Sequence, residues 1–541
     1  MKQSQGLRKW ISLFLISCFL ALSCGGTPTA DLPPANRQSD RITIGTTGKV
    51  RTLDPADAYD LASGILLENM GDRLYRYQPG TDKLQPQLAT ELPTISSDAL
   101  TYTIPLRQDV VFHDGTPFNA EAMAFSLRRF MENGGQPSFL LTKAVASVAV
   151  TSEYEITIQL KQPFAAFPKL LTFFGTCAVS PQYYGKDGEF KPDSFAGTGP
   201  YKLAKLGTDS VKLDIFEEYW GEKPANKGVD IQRFSSAANL YNAFRTGLVD
   251  VAYDTLDPNQ IRSLEELAPE KGWQAIATSG NFISYWLLNV KEPPLDNPKV
   301  RQALAAIVDR SLLIERVNSG QAEPLYSMIP TYFDAYQPVF QERYGDKGNP
   351  AKAKELLAEA GYSSANPLKL ELWYPTDSPV RGLLASALKA IAQQQLDGML
   401  ELELNSVEFT TSTANRAKGV YQTFLMNWFA DFFDPDNYTQ PFLACSKGDP
   451  STGCESGGSK SLGSFYYSDR ANQLIDRQRK ELNPEARNAI FGELQELLAD
   501  EVPYIPLWQN KDYAFAQKGI TGVTLNPSQL FPLAEIRNTG A

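Results

Sequence analysis

The apolar positions of the chain fall into two periods. Leu100, Tyr102, Ile104 and Leu106 alternate with other residues, as do Tyr154, Ile156, Ile158 and Leu160, and again Val211, Leu213 and Ile215. A period of two puts every second side chain on one face, so each run predicts a strand with one buried face. Elsewhere the period lengthens to three or four. Asn119 precedes a run carrying Met123, Leu127 and Phe130; Asn349-Pro350 opens a segment with Leu356 and Leu357 that Gly361 closes; Asn483-Pro484 opens another with Ile490, Leu494, Leu497 and Leu498. An Asn accepts from the unpaired N–H groups of a first turn, Pro tolerates the next position, and Gly ends a helix, so these stripes predict core-facing helices. Strand and helix signals alternate along the whole chain, and no repeat of about 20 to 50 residues is visible. The prediction is a mixed α/β protein of several lobes.

The N-terminal pattern is different. Lys2, Arg8 and Lys9 form a short basic segment, and Trp10 to Leu22 is almost wholly apolar. That stretch is too short for a membrane span, which needs about 20 residues, and fits an export signal. Leu20-Ala21-Leu22-Ser23-Cys24-Gly25-Gly26 resembles a bacterial lipobox, with cleavage before a diacylated cysteine, although Ala21 stands where leucine is usual. Leu15-Ile16-Ser17-Cys18 also fits the pattern, but would leave a very short apolar core, so Cys24 is the expected lipidation site. Residues 1–23 are thus expected to be a lipoprotein signal peptide and 24–40, rich in Gly, Pro and polar types, a flexible tether. The expected location is the outer face of the cytoplasmic membrane, on its periplasmic side, anchored by the N-terminal lipid. Export also permits a disulfide: Cys445–Cys454 would close a loop containing Gly448, Asp449, Pro450 and Gly453. Cys177 is left as a buried small residue.

Composition narrows the function. The 541 residues are 43% apolar and 21% charged, an ordinary globular balance, and the formal net charge is -11. An acidic surface repels phosphate backbones, which argues against nucleic-acid binding. A single histidine, His113, excludes HExxH and any His-pair metal site. The sequence holds no GxSxG elbow, no GxxxxGK[ST] loop and no CxxC pair. Gly45-Thr46-Thr47-Gly48-Lys49 has the wrong glycine spacing for a phosphate loop, and Val50 takes the Ser/Thr place. A secreted hydrolase on an α/β scaffold would need a nucleophile-base pair or a metal cluster, and none is readable. Neither enzyme activity nor a cofactor or metal is expected.

Several segments in order carry a resemblance. They are Leu53-Asp54-Pro55-Ala56, Pro86-Gln87-Leu88-Ala89, Tyr102 to Arg107, and Phe112-His113-Asp114-Gly115-Thr116-Pro117 with Glu121. Gly197-Thr198-Gly199-Pro200-Tyr201, Tyr219-Trp220-Gly221, Asn289, Val300 to Leu304 with Asp309-Arg310, and Trp428 to Pro435 follow. Together they resemble the family 5 extracellular solute-binding proteins of ABC transporters, the oligopeptide and dipeptide receptor family. The resemblance implies an α/β periplasmic-binding-protein-like clamshell, type II-like and of cluster C, with two large lobes and an inserted extra subdomain. By analogy lobe one is 41–72, 195–281 and 511–541, the insertion 73–194 and lobe two 282–510, with a hinge near 281 and 510.

The resemblance also implies a monomeric receptor that captures oligopeptides or dipeptides and delivers them to permease subunits served by a separate ATPase. A free peptide offers an ammonium, a carboxylate and repeating amides. Asp431 falls where peptide-binding members keep their amine-binding aspartate, and Trp428 would wall the pocket. Tyr59-Asp60-Leu61, Tyr253-Asp254-Thr255 and Ser284-Tyr285-Trp286 align with ligand-contacting positions and are candidate edges for backbone pairing. Tyr374 and Arg381 follow the strand ending at Trp373, where an Arg would meet the peptide carboxylate. Within the same class the alternatives are a nickel complex, haem, an oligosaccharide or an opine. A purely structural lipoprotein is a further alternative, disfavoured by the clamshell marks.

Overall fold

The computed structural model describes residues 40–78, 81–185, 188–253, 256–525 and 531–540. The signal segment, Cys18, Cys24 and the tether up to residue 39 lie outside the described residues, as do Asp254 and Thr255. Among the described residues no helix is long and apolar enough to cross a membrane.

An eleven-stranded mixed sheet organises the chain. Its strands are β1 (Ile42–Thr46), β2 (Tyr201–Leu206), β3 (Ser210–Ile215), β4 (Val229–Arg233), β5 (Val251–Tyr253), β6 (Gln274–Leu288), β7 (Ala322–Pro324), β8 (Leu368–Pro375), β9 (Leu400–Val407), β10 (Thr423–Trp428) and β11 (Tyr504–Ala516). The order across the sheet is β9-β8-β10-β6-β11-β5-β1-β4-β3-β2, with β7 on β11. β1 runs parallel to β4 and β5, and β8 runs parallel to β9 and β10. Ligand crevices in open α/β sheets lie beyond the carboxyl ends of parallel strands, so each parallel set marks one such edge.

Two large hydrophobic cores lie along this sheet, with a smaller third around Leu240, Phe244, Leu264 and Phe515. The first gathers Ile42, Val229 and Ala514 together with Tyr102, Phe112, Met123 and Ile156, which come from outside the sheet. The second gathers Ile283, Leu304, Leu372, Leu425, Phe491 and Trp508. Within this sheet, among the described residues, the long strands β6 and β11 contribute to both. Ile276 and Ala514 pack on the first core, Ile283 and Tyr504 in the second, and the β6/β11 register breaks between Ser279 and Ile283. Two aromatic rings cross over: Tyr77 is buried in the second core and Phe432 in the first.

Local signals explain the elements. A separate four-stranded sheet includes Thr101–Pro105 and Glu155–Leu160, whose Tyr102, Ile104, Ile156 and Ile158 are fully buried. Asn119, Asn349 and Asn483 cap Ala120–Glu132, Pro350–Glu359 and Pro484–Glu501, accepting from Ala122, Lys352 and Ala486 at 3.0, 3.0 and 2.8 Å. Gly361, just past its helix, takes the left-handed φ of 90°.

Several quoted motifs turn out to be structural joints. Asp72 is buried and accepts from Gln87 Nε2 at 2.7 Å, Trp220 Nε1 at 2.8 Å and Thr198 Oγ1 at 3.0 Å, which ties three separate motifs to one carboxylate. Asp54, wholly buried, takes a bidentate pair of 2.7 Å bonds from Arg129. His113 Nε2 bonds the Gly199 carbonyl at 3.0 Å and its ring packs edge-on against Phe216; burial pushes its pKa down to about 4. Cys445 and Cys454 form a disulfide across a short hairpin, and Cys177 is free and buried.

Candidate functional site

The chain leaves the sheet after Trp428, at the carboxyl end of β10, and enters a turn carrying three aspartates, Asp431, Asp434 and Asp436. Two of these carboxylates are neutralised. Asp434, fully buried, takes two bonds from Arg487 at 2.7 and 2.8 Å, and Lys169 stands 3.5 Å away. Burial alone would raise its pKa, but Arg487, Lys169 and the hydrogen bonds outweigh it and hold the group at about 2. Asp436 takes bonds of 2.7 and 2.9 Å from Arg479 and a third from Gln478. These pairs anchor the turn in the second core, where Tyr77 brackets Phe433 through its backbone N–H at 3.1 Å and C=O at 3.4 Å.

Asp431 is different. Among the described residues it has no ion pair; its Oδ1 accepts a short hydrogen bond from the Tyr59 hydroxyl. Burial raises its pKa, and the bonds from Tyr59 and Asn437 and the charge of Lys143 oppose that rise without cancelling it. Asn437 Oδ1 accepts from both the Asp431 backbone N–H and Trp428 Nε1, each at 3.2 Å, which fixes acid and indole relative to each other. The Tyr59 ring stands edge-on to Phe139 at 5.8 Å and near Phe173 at 6.3 Å, and Lys143 Nζ lies 5.1 Å over the Phe139 ring. The geometry is a half-buried carboxylate met by a neutral donor, with aromatic faces beside it. Such an arrangement can receive an ammonium.

The other expected residues divide. Asp60 is extended, but its side chain caps the helix Leu61–Met70 by accepting from Ser63 N at 2.9 Å, and Leu61 opens that helix. The Tyr59–Leu61 segment therefore offers one extended residue and a helix start, not a strand edge. Tyr285 is buried with its ring 5.3 Å from Phe442, which also packs against Tyr504 at 5.1 Å and Trp428 at 5.2 Å, so Phe442 stands between Tyr285 and Trp428. Tyr285 and Trp286 must both be corrected. They take opposite faces of β6 and both are enclosed in the second core, 1% and 0% exposed, where neither can wall a pocket. Tyr253 ends β5 stacked on Phe531 at 4.2 Å and lines a separate cavity of about 580 Å³ with Ile44, Ile65 and Val211, away from the Tyr59–Asp431 contact.

Tyr374 lies within β8, which runs on to Pro375 rather than ending at Trp373, and Arg381 follows the strand; the Tyr374 ring is 3.4 Å from where a Cβ on Gly382 would stand. Arg381 lies in the first turn of Pro379–Gln395, has no ion pair among the described residues, and its buried Nε finds no acceptor. Burial lowers its pKa, against the opposing influence of Tyr285 and Asp377. The sequence reading missed Asn437, Phe139 and Phe173. Asn437 closes the Asp434-Pro435-Asp436 turn and had a turn signal, whereas the two rings look like any core aromatics. Among the described residues no cluster of three or more His, Cys, Asp or Glu is placed to hold a metal ion.

Comparison with known proteins agrees with this architecture. Residues 83–450 match the bacterial extracellular solute-binding proteins, family 5 Middle. The glutathione-binding protein GsiB of Salmonella typhi is 29% identical over 507 residues, spanning 91% of this chain and 93% of that protein. Among solved structures, DppA from Helicobacter pylori in complex with the peptide STSA aligns with a TM-score of 0.74 at 23% identity, covering 92% of this chain and 98% of that one. HbpA2 from Haemophilus parasuis aligns with a TM-score of 0.79 at 22% identity, covering 92% and 99%. At these identities the structural likeness establishes the clamshell fold.

Proposed function

The chain belongs to the family 5 extracellular solute-binding proteins, which bind ligands for ABC permease and ATPase subunits, and from that premise we propose that its ligand is a short peptide with a free amine. The observation that carries this reading is Asp431, the one acid of three in its turn with no ion pair among the described residues. The ligand's ammonium completes the Asp431 carboxylate beside Tyr59, Trp428 walls the pocket, and Arg381 receives the carboxylate. Glutathione, which the GsiB relative is named for binding, is a tripeptide carrying both an amine and carboxylates, and so has the required ends.

In this reading lobe one comprises 41–72, 195–281 and 511–541, the insertion 73–194 and lobe two 282–510, and the β6/β11 register break at Ser279–Ile283 is the hinge. Tyr59 comes from lobe one and Asp431 from lobe two, so a ligand touching both favours the closed state by its differential affinity. Cys24 carries the lipid that holds the receptor at the outer face of the membrane. Native mass spectrometry of the purified full chain tests the ligand class. Co-purified masses of short peptides are expected, and a single non-peptide mass refutes the peptide reading.

A further inference from the structure

The strand β6 contributes to both large cores, and its pairing with β11 is interrupted between them. Ser279 faces Lys511 and Ile283 faces Gln509, so residues 280–282 of β6 stand against Asn510 alone. The extra residues form a bulge, and a bulge leaves backbone groups without ladder partners. Gly280 is needed there, because a Cβ would stand 2.9 Å from the Asn510 carbonyl oxygen and from both carboxylate oxygens of Asp512. Asn281 follows and is 2% exposed, so its carbonyl must find a donor inside the protein. The donor is Tyr438, whose wholly buried hydroxyl reaches the Asn281 C=O at 2.6 Å. Burial raises the Tyr438 pKa, which keeps the proton on the donor.

Tyr438 belongs to the turn that carries the candidate amine site. Ile283 pairs with Trp428, so the turn leaves β10 beside the bulge of β6. Asn437, next to Tyr438, holds the Asp431 N–H and Trp428 Nε1 at 3.2 Å each. Asp434 and Asp436 are tied to Arg487 and Arg479, and the Tyr438 ring packs edge-on against Phe333 at 5.8 Å. The turn is thus braced along its length. Asp431 stands at one end, and the hydroxyl at the other end is fastened to the bulge.

We propose that Tyr438 is a positioning residue that couples occupation of the Asp431 site to the bend in β6. This deepens the two-lobe reading of the function and rests on it. In that reading the Tyr59–Asp431 bond marks the closed arrangement, and the Tyr438–Asn281 bond belongs to the same arrangement. Swinging the lobes apart turns the peptide planes at residues 280–282 and draws the Asn281 carbonyl away from the hydroxyl. A buried carbonyl and a buried phenol that lose each other are costly, so the bond favours closure. A ligand that closes the cleft gains this bond along with its own contacts, and its affinity includes both.

Calorimetry and stopped-flow binding of Ala-Ala-Ala and its N-acetylated copy to the purified full chain test this. Tyr438→Phe is expected to weaken both peptides by the same factor, about fivefold or more, through faster dissociation at an unchanged association rate. Gly280→Ala, whose new methyl displaces the bulge from Asn510 and Asp512, is expected to weaken both peptides likewise. Adding Tyr438→Phe to it is expected to cost less than about twofold more, because the two substitutions break one link. Affinities within about twofold of wild type, with only a lowered melting temperature, make Tyr438 a packing residue and overturn the coupling. A changed ratio between free and acetylated peptides places the effect on Asp431 instead of the bend and overturns it as well, as does full additivity of the two substitutions. If neither peptide binds the wild type, the peptide reading fails, and small-angle scattering of unliganded wild type and Tyr438→Phe decides the coupling. A larger radius of gyration in the variant supports it, and an equal radius overturns it.

Discussion

Asp431→Asn isolates the charge of the central acid, because the amide keeps the shape of the side chain and still accepts a hydrogen bond from Tyr59. The carboxylate meets a neutral hydroxyl and a raised pKa, so it sits in a site where a charge-assisted bond is stronger than at an open surface. Such bonds contribute about 1.5–3 kcal/mol. At about 1.4 kcal/mol per decade, the variant should bind a free-amine peptide about 10- to 150-fold more weakly. An N-acetylated copy of the same peptide has no ammonium and should lose little further affinity. The pH dependence follows from the direction of the shift. With its pKa raised, Asp431 holds its proton to a higher pH than an ordinary carboxyl, so free-peptide affinity should fall on acidification before ordinary carboxylates protonate. For the unliganded fold, the same shift gives stability that is greatest at low pH and is lost as pH rises through the raised value. Calorimetric titration of wild type and variant with both peptides across pH reads all of this. Equal losses for the free and acetylated peptides, or an acid-side fall that persists in the variant, refute the reasoning.

Arg487→Met leaves Asp434 buried without its main partner and should cost roughly 3–5 kcal/mol in urea unfolding. Because Asp434 is held at about 2, its stabilisation is present above the unfolded carboxyl value of ~3.9 and is lost as pH falls toward 2, a loss that should be smaller in the variant. Trp220→Phe removes a donor from buried Asp72 and should cost about 1–3 kcal/mol of stability without changing ligand affinity; a loss under about 0.5 kcal/mol would contradict the joint described for Asp72. Tyr77→Phe removes the bonds that bracket Phe433. At about 0.5–1.5 kcal/mol it should weaken free and acetylated peptides alike by about 2- to 12-fold, and a change in their ratio would contradict this.

Much of the scaffold was legible because its signals are local. Alternation at Tyr102–Ile104 and Ile156–Ile158 and caps at Asn119, Asn349 and Asn483 depend on a few neighbouring residues, and the structure follows each. The quoted motifs were legible as marks but not as roles. That Gln87, Thr198 and Trp220 meet on Asp72 is a fact of long-range packing that spacing does not encode. The site shows the same division. Asp431 and Trp428 stand on one turn and are found together, held by Asn437. Tyr285 and Trp286 were misread because both faces of β6 are buried there, which the sequence pattern does not reveal.

The most direct test is a crystal structure of the full chain grown with Ala-Glu-Ala. The account predicts the peptide enclosed between the two bodies, its terminal nitrogen within about 3.2 Å of an Asp431 carboxylate oxygen. A peptide bound with its amine in solvent, or seated elsewhere while Asp431 keeps Tyr59 as its sole side-chain partner, would contradict it.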